Sequence, residues 1–296
     1  MHGQSVLASY LGAMPNPPNT RCPICEQESR KAGNAILETA DGDVETQVRF
    51  CGGCDVFHRV ARARDLDDHF RIASYVRLDR ERSWRAHRQG FFDRVLDAID
   101  ALPRPRSSGN PRVLVDYGCS YGHLIEMARD RGYDARGVEP NQALVDLCRD
   151  RGQRVEPNLD GFEDSVDVVA LIDSLYYVPN PRFVLEQIRN VLQPEGWIVA
   201  RLTNRNAITR LMNRLRSEPR FDLLGDAVVS YSVSGAVRLF ESCDFRVDQV
   251  KPDSGWGKRL SLGRTVAYKA AAAASSLLPR TRMLAPGFFV YAQRRL

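Results

Sequence analysis

Val113-Leu-Val-Asp-Tyr-Gly-Cys-Ser-Tyr-Gly-His123 joins a buried strand, an acidic strand end and a glycine turn that opens a helix. Gly118 and Gly122 carry no Cβ, so the backbone can turn tightly, approach a ligand closely and deliver it to a helix N-terminus. A dinucleotide fold holds a diphosphate on G-x-G-x-x-G; here the spacing is G-x-x-x-G, with Asp116 two residues before the first glycine. A carboxylate at that place repels a diphosphate and suits a cation.

S-adenosylmethionine is such a ligand: it carries an ammonium, a sulfonium and an adenosine whose ribose needs an acceptor. Twenty-three residues after Asp116 the next apolar strand, Ala135-Arg-Gly-Val138, ends in Glu139-Pro140, where a carboxylate can accept both ribose hydroxyls. On these residues the chain resembles the class I S-adenosylmethionine-dependent methyltransferases over about residues 107 to 296. Asp116, Gly118 and Gly122 match that family's first motif and Glu139 its second, while Ser120 stands where many members have a third glycine. The resemblance implies an α/β fold, a Rossmann-like doubly wound sheet of seven strands whose last strand is inserted antiparallel.

The rest of the chain can support such a fold. Its 296 residues allow one large α/β domain with a small appendage, and 43% hydrophobic content is ordinary for a packed core. Met1 to Asn19 lacks the basic-then-apolar layout of a signal peptide, and the run Ala270–Ala274 with Leu277-Leu278 is too short to span a bilayer. A cytoplasmic location is the expectation. The net charge of +5 is unevenly spread: 16 Lys and Arg against 15 Asp and Glu up to residue 110, 9 against 15 over 111–200, and 17 against 7 beyond. A basic C-terminal quarter suits an anionic acceptor or surface, or simply solubilises exposed helices.

Ahead of the glycine turn lies a second signal, Cys22-Pro-Ile-Cys25 and Cys51-Gly-Gly-Cys54. Two C-x-x-C knuckles can place four thiolates around one structural Zn²⁺ at ~2.3 Å, with Gly52-Gly53 available for positive φ. The 25 intervening residues read as strands, Ala35–Glu38 and Thr46–Phe50, around a turn at Asp41-Gly42-Asp43. A redox pair lacks the surrounding βαβ pattern, and disulfides lack a secretory signal. Cys119, Cys148 and Cys243 read as small core residues. The chain thus divides into a flexible N-terminus (1–20), a zinc-ribbon-like module (21–58), a helical cap and linker (59–106) and the methyltransferase domain (107–296), with 251–286 as an inserted segment on the substrate side.

In residues 59–106 arginines alternate with Phe70, Tyr75, Trp84, Phe91 and Phe92. Such interleaving can bind nucleic acid. Yet Asp65, Asp67, Asp68, Asp79, Glu81 and Asp93 nearly neutralise the arginines, and Phe92, Val95, Leu96 and Ile99 recur at helical spacing, which favours an amphipathic cap helix. Past the glycine turn, Gly132 and Gly152 close two helices, the second capped by Asn141. A short strand near Arg154-Val155 follows, then Asp167–Ile172, apolar enough to be buried on both faces. A helix over Pro181–Leu192, a turn at Pro194-Glu-Gly196, a strand over Trp197–Leu202, a helix over Ser232–Cys243 and strands over Arg246–Val250 and Gly287–Gln293 complete the pattern.

Ligands of open α/β sheets bind outside the carboxyl ends of the strands, which brings Asp173-Ser-Leu-Tyr-Tyr-Val-Pro-Asn-Pro181 to the site. The resembled family commonly has a histidine before Val-Pro there; here Tyr177 holds that place. Asp116 and Glu139 are the expected ligands of the donor's ammonium and ribose, with Gly118, Ser120, Gly122 and Asp173 beside them. His58, His69, Asp173, Tyr176 and Tyr177 are the candidates for moving a proton if the acceptor needs a base. Trp256, Lys258, Arg259 and Arg264 suit an anionic or sugar-bearing acceptor, or an ordinary surface loop. The order of modules resembles enzymes that methylate sugars, glycans or other small metabolites. A zinc-ribbon rRNA methyltransferase is the rival, although its ribbon should present a basic face. A zinc-dependent scaffold with an inactive domain is the non-enzymatic alternative.

Overall fold

In the computed structural model the described residues are 20–39, 41–62, 64–66, 69, 78–107, 109, 111–160, 162, 165–205, 224, 227–253, 262–275 and 283–295. Phe70, Tyr75, Trp256, Lys258 and Arg259, and the side chain of Arg264, lie outside them.

Two sheets organise the chain. The first is built from β1 (Arg30–Thr39), β2 (Gly42–Cys51) and β3 (Val56–Val60), an antiparallel meander with Thr39 opposite Gly42 at the hairpin turn. The second contains β4 (Val113–Tyr117), β5 (Asp134–Val138), β6 (Val155–Glu156), β7 (Val166–Ile172), β8 (Leu192–Thr203), β10 (Phe245–Asp253) and β11 (Gly287–Arg294). Its order is β10-β11-β8-β7-β4-β5-β6, parallel except that β11 runs antiparallel to both neighbours. This is the seven-stranded Rossmann-like sheet implied by the sequence. The chain leaves β4 towards β5 on one side and later returns to place β7 on the other, so β4 and β7 flank the switch point where such sheets hold ligands.

Alternation along the strands sorts the core onto two faces. Leu114, Val168, Ala170 and Ile172 join one apolar cluster, and Val115, Tyr117, Val169 and Leu171 the other. Helix α1 (Leu78–Asp100) delivers Phe91, Phe92, Val95, Leu96 and Ile99 to the first face, with Phe91 stacked on Phe289 of β11 at 6.1 Å. The helical spacing read in the cap segment is therefore the core-facing stripe of a helix that closes the sheet. Helices α2 (His123–Asp130) and α3 (Gln142–Asp150) cover the same face. Both end as their glycines demand, Gly132 and Gly152 taking φ of 86° and 72°. Asn141 caps α3 by accepting from the Ala143 and Leu144 amides.

Helices α4 (Pro181–Val191) and α5 (Val233–Ser242) pack on the opposite face, their first turns capped by Asn180 and Ser232. Helix α6 (Leu262–Ser275) lies within the long segment before β11. Pro194-Glu-Gly196 does not break the chain between helix and strand: β8 already begins at Leu192, and the three residues form an irregularity in it, with Glu195 at φ 66°. The strand β9 (Val229–Tyr231) is one that sequence patterning does not reveal. It adds to the free edge of β3, giving the small sheet the order β1-β2-β3-β9. Among the described residues no helix is long and apolar enough to cross a membrane.

Candidate functional site

The loop after β4 is built around left-handed backbone. Gly118, Ser120 and Gly122 have φ of 82°, 51° and 72°. At Gly122 there is a second constraint, because a Cβ would lie 1.9 Å from Gln153 Oε1. The Gly118 and Cys119 amides donate to the Val138 carbonyl at 2.7 and 3.1 Å, which fastens the loop to the end of β5. Gly122 then stands at the N-cap of α2.

Asp116 and Glu139 converge at this loop from adjacent strands, both buried. Glu139 Oε2 accepts from the Ser120 amide at 2.9 Å and Oε1 from the Asn141 amide at 3.0 Å. Each carboxylate oxygen keeps a further lone pair for a hydroxyl donor. Burial pushes both acids up, to about 7; for Asp116 the Arg88 guanidinium opposes the shift and the charge of Glu139 adds to it. A buried carboxylate is costly without a positive partner, so the pair suits a ligand bringing a cation and vicinal hydroxyls. That fits the amino-acid and ribose ends of S-adenosylmethionine.

The N-terminal part of α1 lies over this cradle. Glu81 accepts from both Arg151 nitrogens and lies 3.1 Å from His123 Nε2; Arg151 and then His123 hold its carboxyl down to about 2. Trp84 meets Tyr121 edge-on at 6.3 Å and carries the Arg88 guanidinium over its ring at 4.2 Å. Arg88, buried, donates to Asp173 Oδ2 at 3.3 Å. Sequence reasoning missed Glu81, Arg88 and Arg151, because each is one arginine or acid among many in a neutral-looking charge run.

Asp173 follows β7 at φ 60° and stands inside a buried ionic chain that runs from Arg88 to Asp253. Its other oxygen accepts from Arg201 of β8, whose Nε and Nη2 donate to Asp253 of β10 at 3.0 and 2.9 Å. Against burial, which would discharge it, Asp173 and Asp253 hold the Arg201 guanidinium charged. Gly287 admits that guanidinium, since a Cβ there would lie 2.6 Å from Nη2. Both oxygens of Asp173 are thus engaged by arginine, an arrangement that anchors a loop and does not suit the proton-accepting role considered for this acid.

Tyr176 and Tyr177 occupy a 3₁₀ turn, Leu175–Tyr177, half-buried with ring centroids 4.6 Å apart. The other base candidates are elsewhere. His69 Nδ1 bonds the Glu38 carbonyl of β1 at 2.6 Å. His58 lies in β3, where burial and the nearby Arg49 lower it to about 4. Both therefore belong to the environment of the N-terminal sheet.

The four knuckle cysteines come together as expected: their sulfurs all lie within 4.8 Å of one another, and Cys25 and Cys51 are 3.7 Å apart. Sulfurs at ~2.3 Å from a tetrahedral Zn²⁺ would be roughly 3.8 Å apart, so the donor set fits that ion. Burial pushes the Cys22 thiol up and takes Cys54 to about 12, so loading the site would release protons. The positive φ expected of Gly52-Gly53 falls instead on Glu26 and Asp55, the residue after each second cysteine, at 59° and 53°. The short side chain of Asp tolerates αL better than most, so Asp55 carries a local signal for this turn, while Glu26 carries none.

Comparison with known proteins agrees with the geometry. Residues 84–250 match the family described as a methyltransferase domain. A ubiquinone biosynthesis O-methyltransferase from Thiobacillus denitrificans is 26% identical over 130 residues, covering 40% of this chain and 56% of that protein. Its counterpart from Alkalilimnicola ehrlichii is 27% identical over 124 residues, covering 38% and 50%. The chain spans about half the length of the curated relatives it matches. A Thermotoga maritima structure, described as a S-adenosylmethionine-dependent methyltransferase and possible histamine N-methyltransferase, aligns with 77% of this chain and 100% of its own. Its TM-score is 0.51 at 14% identity, a likeness of fold. With more than half its length matched, the chain belongs to the family described as a methyltransferase domain.

Proposed function

We propose that the enzyme methylates a small-molecule, sugar or glycan acceptor at the turn carrying Tyr176 and Tyr177, with S-adenosylmethionine held by Asp116, Gly118, Ser120, Gly122, Glu139 and Arg88. The observation that carries the donor assignment is the buried pair Asp116 and Glu139 on adjacent strand ends, fixed to the glycine loop by the Ser120 amide. Asp116 faces the ammonium, Glu139 takes the ribose hydroxyls, and Arg88 is the buried cation available to the carboxylate. Asp173 positions Arg88 and the loop after β7.

The donor supplies an activated methyl group on a sulfonium. The protein's part is to align the acceptor and exclude water, which carries most of such a displacement. Asp173 is held between two arginines, His58 lies in the N-terminal sheet and His69 is bonded to it, so the tyrosine hydroxyls of the turn after β7 are the proton-handling groups assigned to the acceptor. This suits an acceptor atom that is already nucleophilic, so within the small-molecule, sugar and glycan class an amino group or an acidic hydroxyl fits better than an ordinary sugar hydroxyl needing a strong base.

The zinc module favours the small acceptor over RNA. Residues 21–58 hold four Lys and Arg against seven Asp and Glu, whereas phosphate contact needs a basic face. The test is transfer from methyl-labelled donor into a cell extract separated into RNA, protein, glycan and small-molecule fractions. Label in glycan or small molecules supports the reading. Label confined to RNA and lost on ribonuclease treatment establishes the rival, and donor binding without transfer to any fraction supports the non-enzymatic reading.

A further inference from the structure

We infer that the cysteine knuckles position the acceptor-side turn: a loaded metal site holds Tyr176 and Tyr177 in place through β3, β9 and the backbone of Val228. The inference rests on the reading of that turn as the acceptor wall.

The path runs through backbone hydrogen bonds. The second knuckle spans the end of β2 and the start of β3, where Cys51 pairs with Val56 and Phe50 with Phe57. On its other edge β3 pairs with β9, Val56 opposite Tyr231, Phe57 opposite Ser230 and His58 opposite Val229. One residue further, the Val228 carbonyl accepts from the Arg59 amide at 2.8 Å while the Val228 amide donates to the Tyr176 carbonyl at 2.9 Å. A single peptide segment thus bridges the metal module and the 3₁₀ turn.

Side chains reinforce the junction on both knuckles. Arg182 of α4 donates to the Ile24 carbonyl at 3.1 Å, inside the first knuckle. Arg205 donates to the Asp55 carbonyl at 3.1 Å, just after the second, and its own amide donates to the Tyr231 carbonyl at 2.9 Å. Gly235, in the first turn of α5, sits so close to the Cys54 carbonyl that a Cβ would come within 2.5 Å of it. Cys22, Cys51 and Cys54 share one buried cluster with Tyr231, Leu175 and Val178. Val48 and Phe57 form a small cluster of their own with Leu224, but the cysteine knuckles themselves are packed into the core that lines the turn.

The test is amide exchange by mass spectrometry on the full-length protein, with zinc and after chelation, alongside binding of S-adenosylhomocysteine by calorimetry. We expect removal of the metal to speed exchange at least tenfold over 174–178 and 228–231, to leave 113–139 protected, and to change S-adenosylhomocysteine affinity less than twofold. Val228→Pro, which deletes the amide bonded to Tyr176 and leaves every cysteine in place, should raise exchange over 174–178 at unchanged zinc content. Unaltered protection of 174–178 after chelation or in Val228→Pro overturns the inference. So does collapse that reaches 113–139 with loss of ligand affinity, which would make the module a general stabiliser, and so does a purified protein that holds no metal. Failure of the loaded protein to bind S-adenosylhomocysteine at all would instead count against the donor assignment, leaving the exchange result to decide this one.

Discussion

Gln153 occupies the space in front of Gly122: its Oε1 lies where a Cβ on residue 122 would meet it at 1.9 Å, and its Nε2 donates to the Gly122 carbonyl at 3.1 Å. The glycine that lets the loop turn at φ 72° is therefore also a packing requirement. Gly122→Ala should lose about 2–3 kcal/mol, combining the left-handed backbone cost with displacement of a buried amide. Adding Gln153→Ala opens the space and should restore part of that loss but not the backbone part. Denaturant unfolding of the two variants measures the split, and full rescue by the second change would show that the backbone conformation carries no cost.

Ser120 takes φ 51° without being glycine. Its amide, not its side chain, serves Glu139. Ser120→Gly should cost nothing measurable, while Ser120→Val, β-branched in the same conformation, should cost about 1–2 kcal/mol and weaken donor binding. Equal losses in both variants would show that the hydroxyl itself is needed.

The raised proton affinities of Asp116 and Glu139, to about 7 from 3.8 and 4.5, bear on stability and on binding with opposite signs. An acid raised by folding binds more protons folded than unfolded, so its stabilising contribution is full below the unfolded value and is lost as pH rises through about 7. A cationic donor prefers the ionised Asp116, so its binding releases a proton and strengthens as pH rises towards 8, by up to about tenfold per pH unit below 7. Calorimetric titration of the donor in two buffers of different ionisation enthalpy measures the proton released. Asp116→Ala should abolish donor binding with zinc content unchanged, and affinity that weakens between pH 6 and 8 would contradict the assignment.

Arg201 ties Asp173 to Asp253 deep in the sheet edge. Arg201→Met leaves both acids buried, Asp253 without its guanidinium, and should cost about 3–5 kcal/mol. Arg201→Met with Asp253→Leu should recover much of this, because replacing a buried pair by apolar groups is far milder than removing one partner. Thermal unfolding of the single and double variants decides, and additive losses would mean that the two residues do not act as a pair.

Most of the sheet was legible in sequence because its signals are local. The apolar run of β7, the glycines after α2 and α3 and the Asn141 cap each act within one turn or strand, where side-chain burial and backbone freedom leave few choices. The cysteine spacing belongs with these, since a two-residue gap alone brings two sulfurs to one point. Charge-run residues were opaque for the converse reason. Nothing local distinguishes Arg88, buried on Asp173, from Arg94, whose guanidinium reaches the carbonyl of Gly90 on its own helix.

The glycine loop with its left-handed turns, the four-sulfur cluster and the succession of strands and helices along the chain were thus readable from the residues alone, because short-range sterics fix them. Long-range packing settled which helix closes the cradle, that Asp173 is spent on arginines, that His69 bonds the Glu38 carbonyl of β1, and that β9 joins the small sheet to the turn carrying Tyr176. Those features depend on groups far apart in the chain sharing one low-dielectric interior, where pairing is compulsory and the partner is chosen by packing.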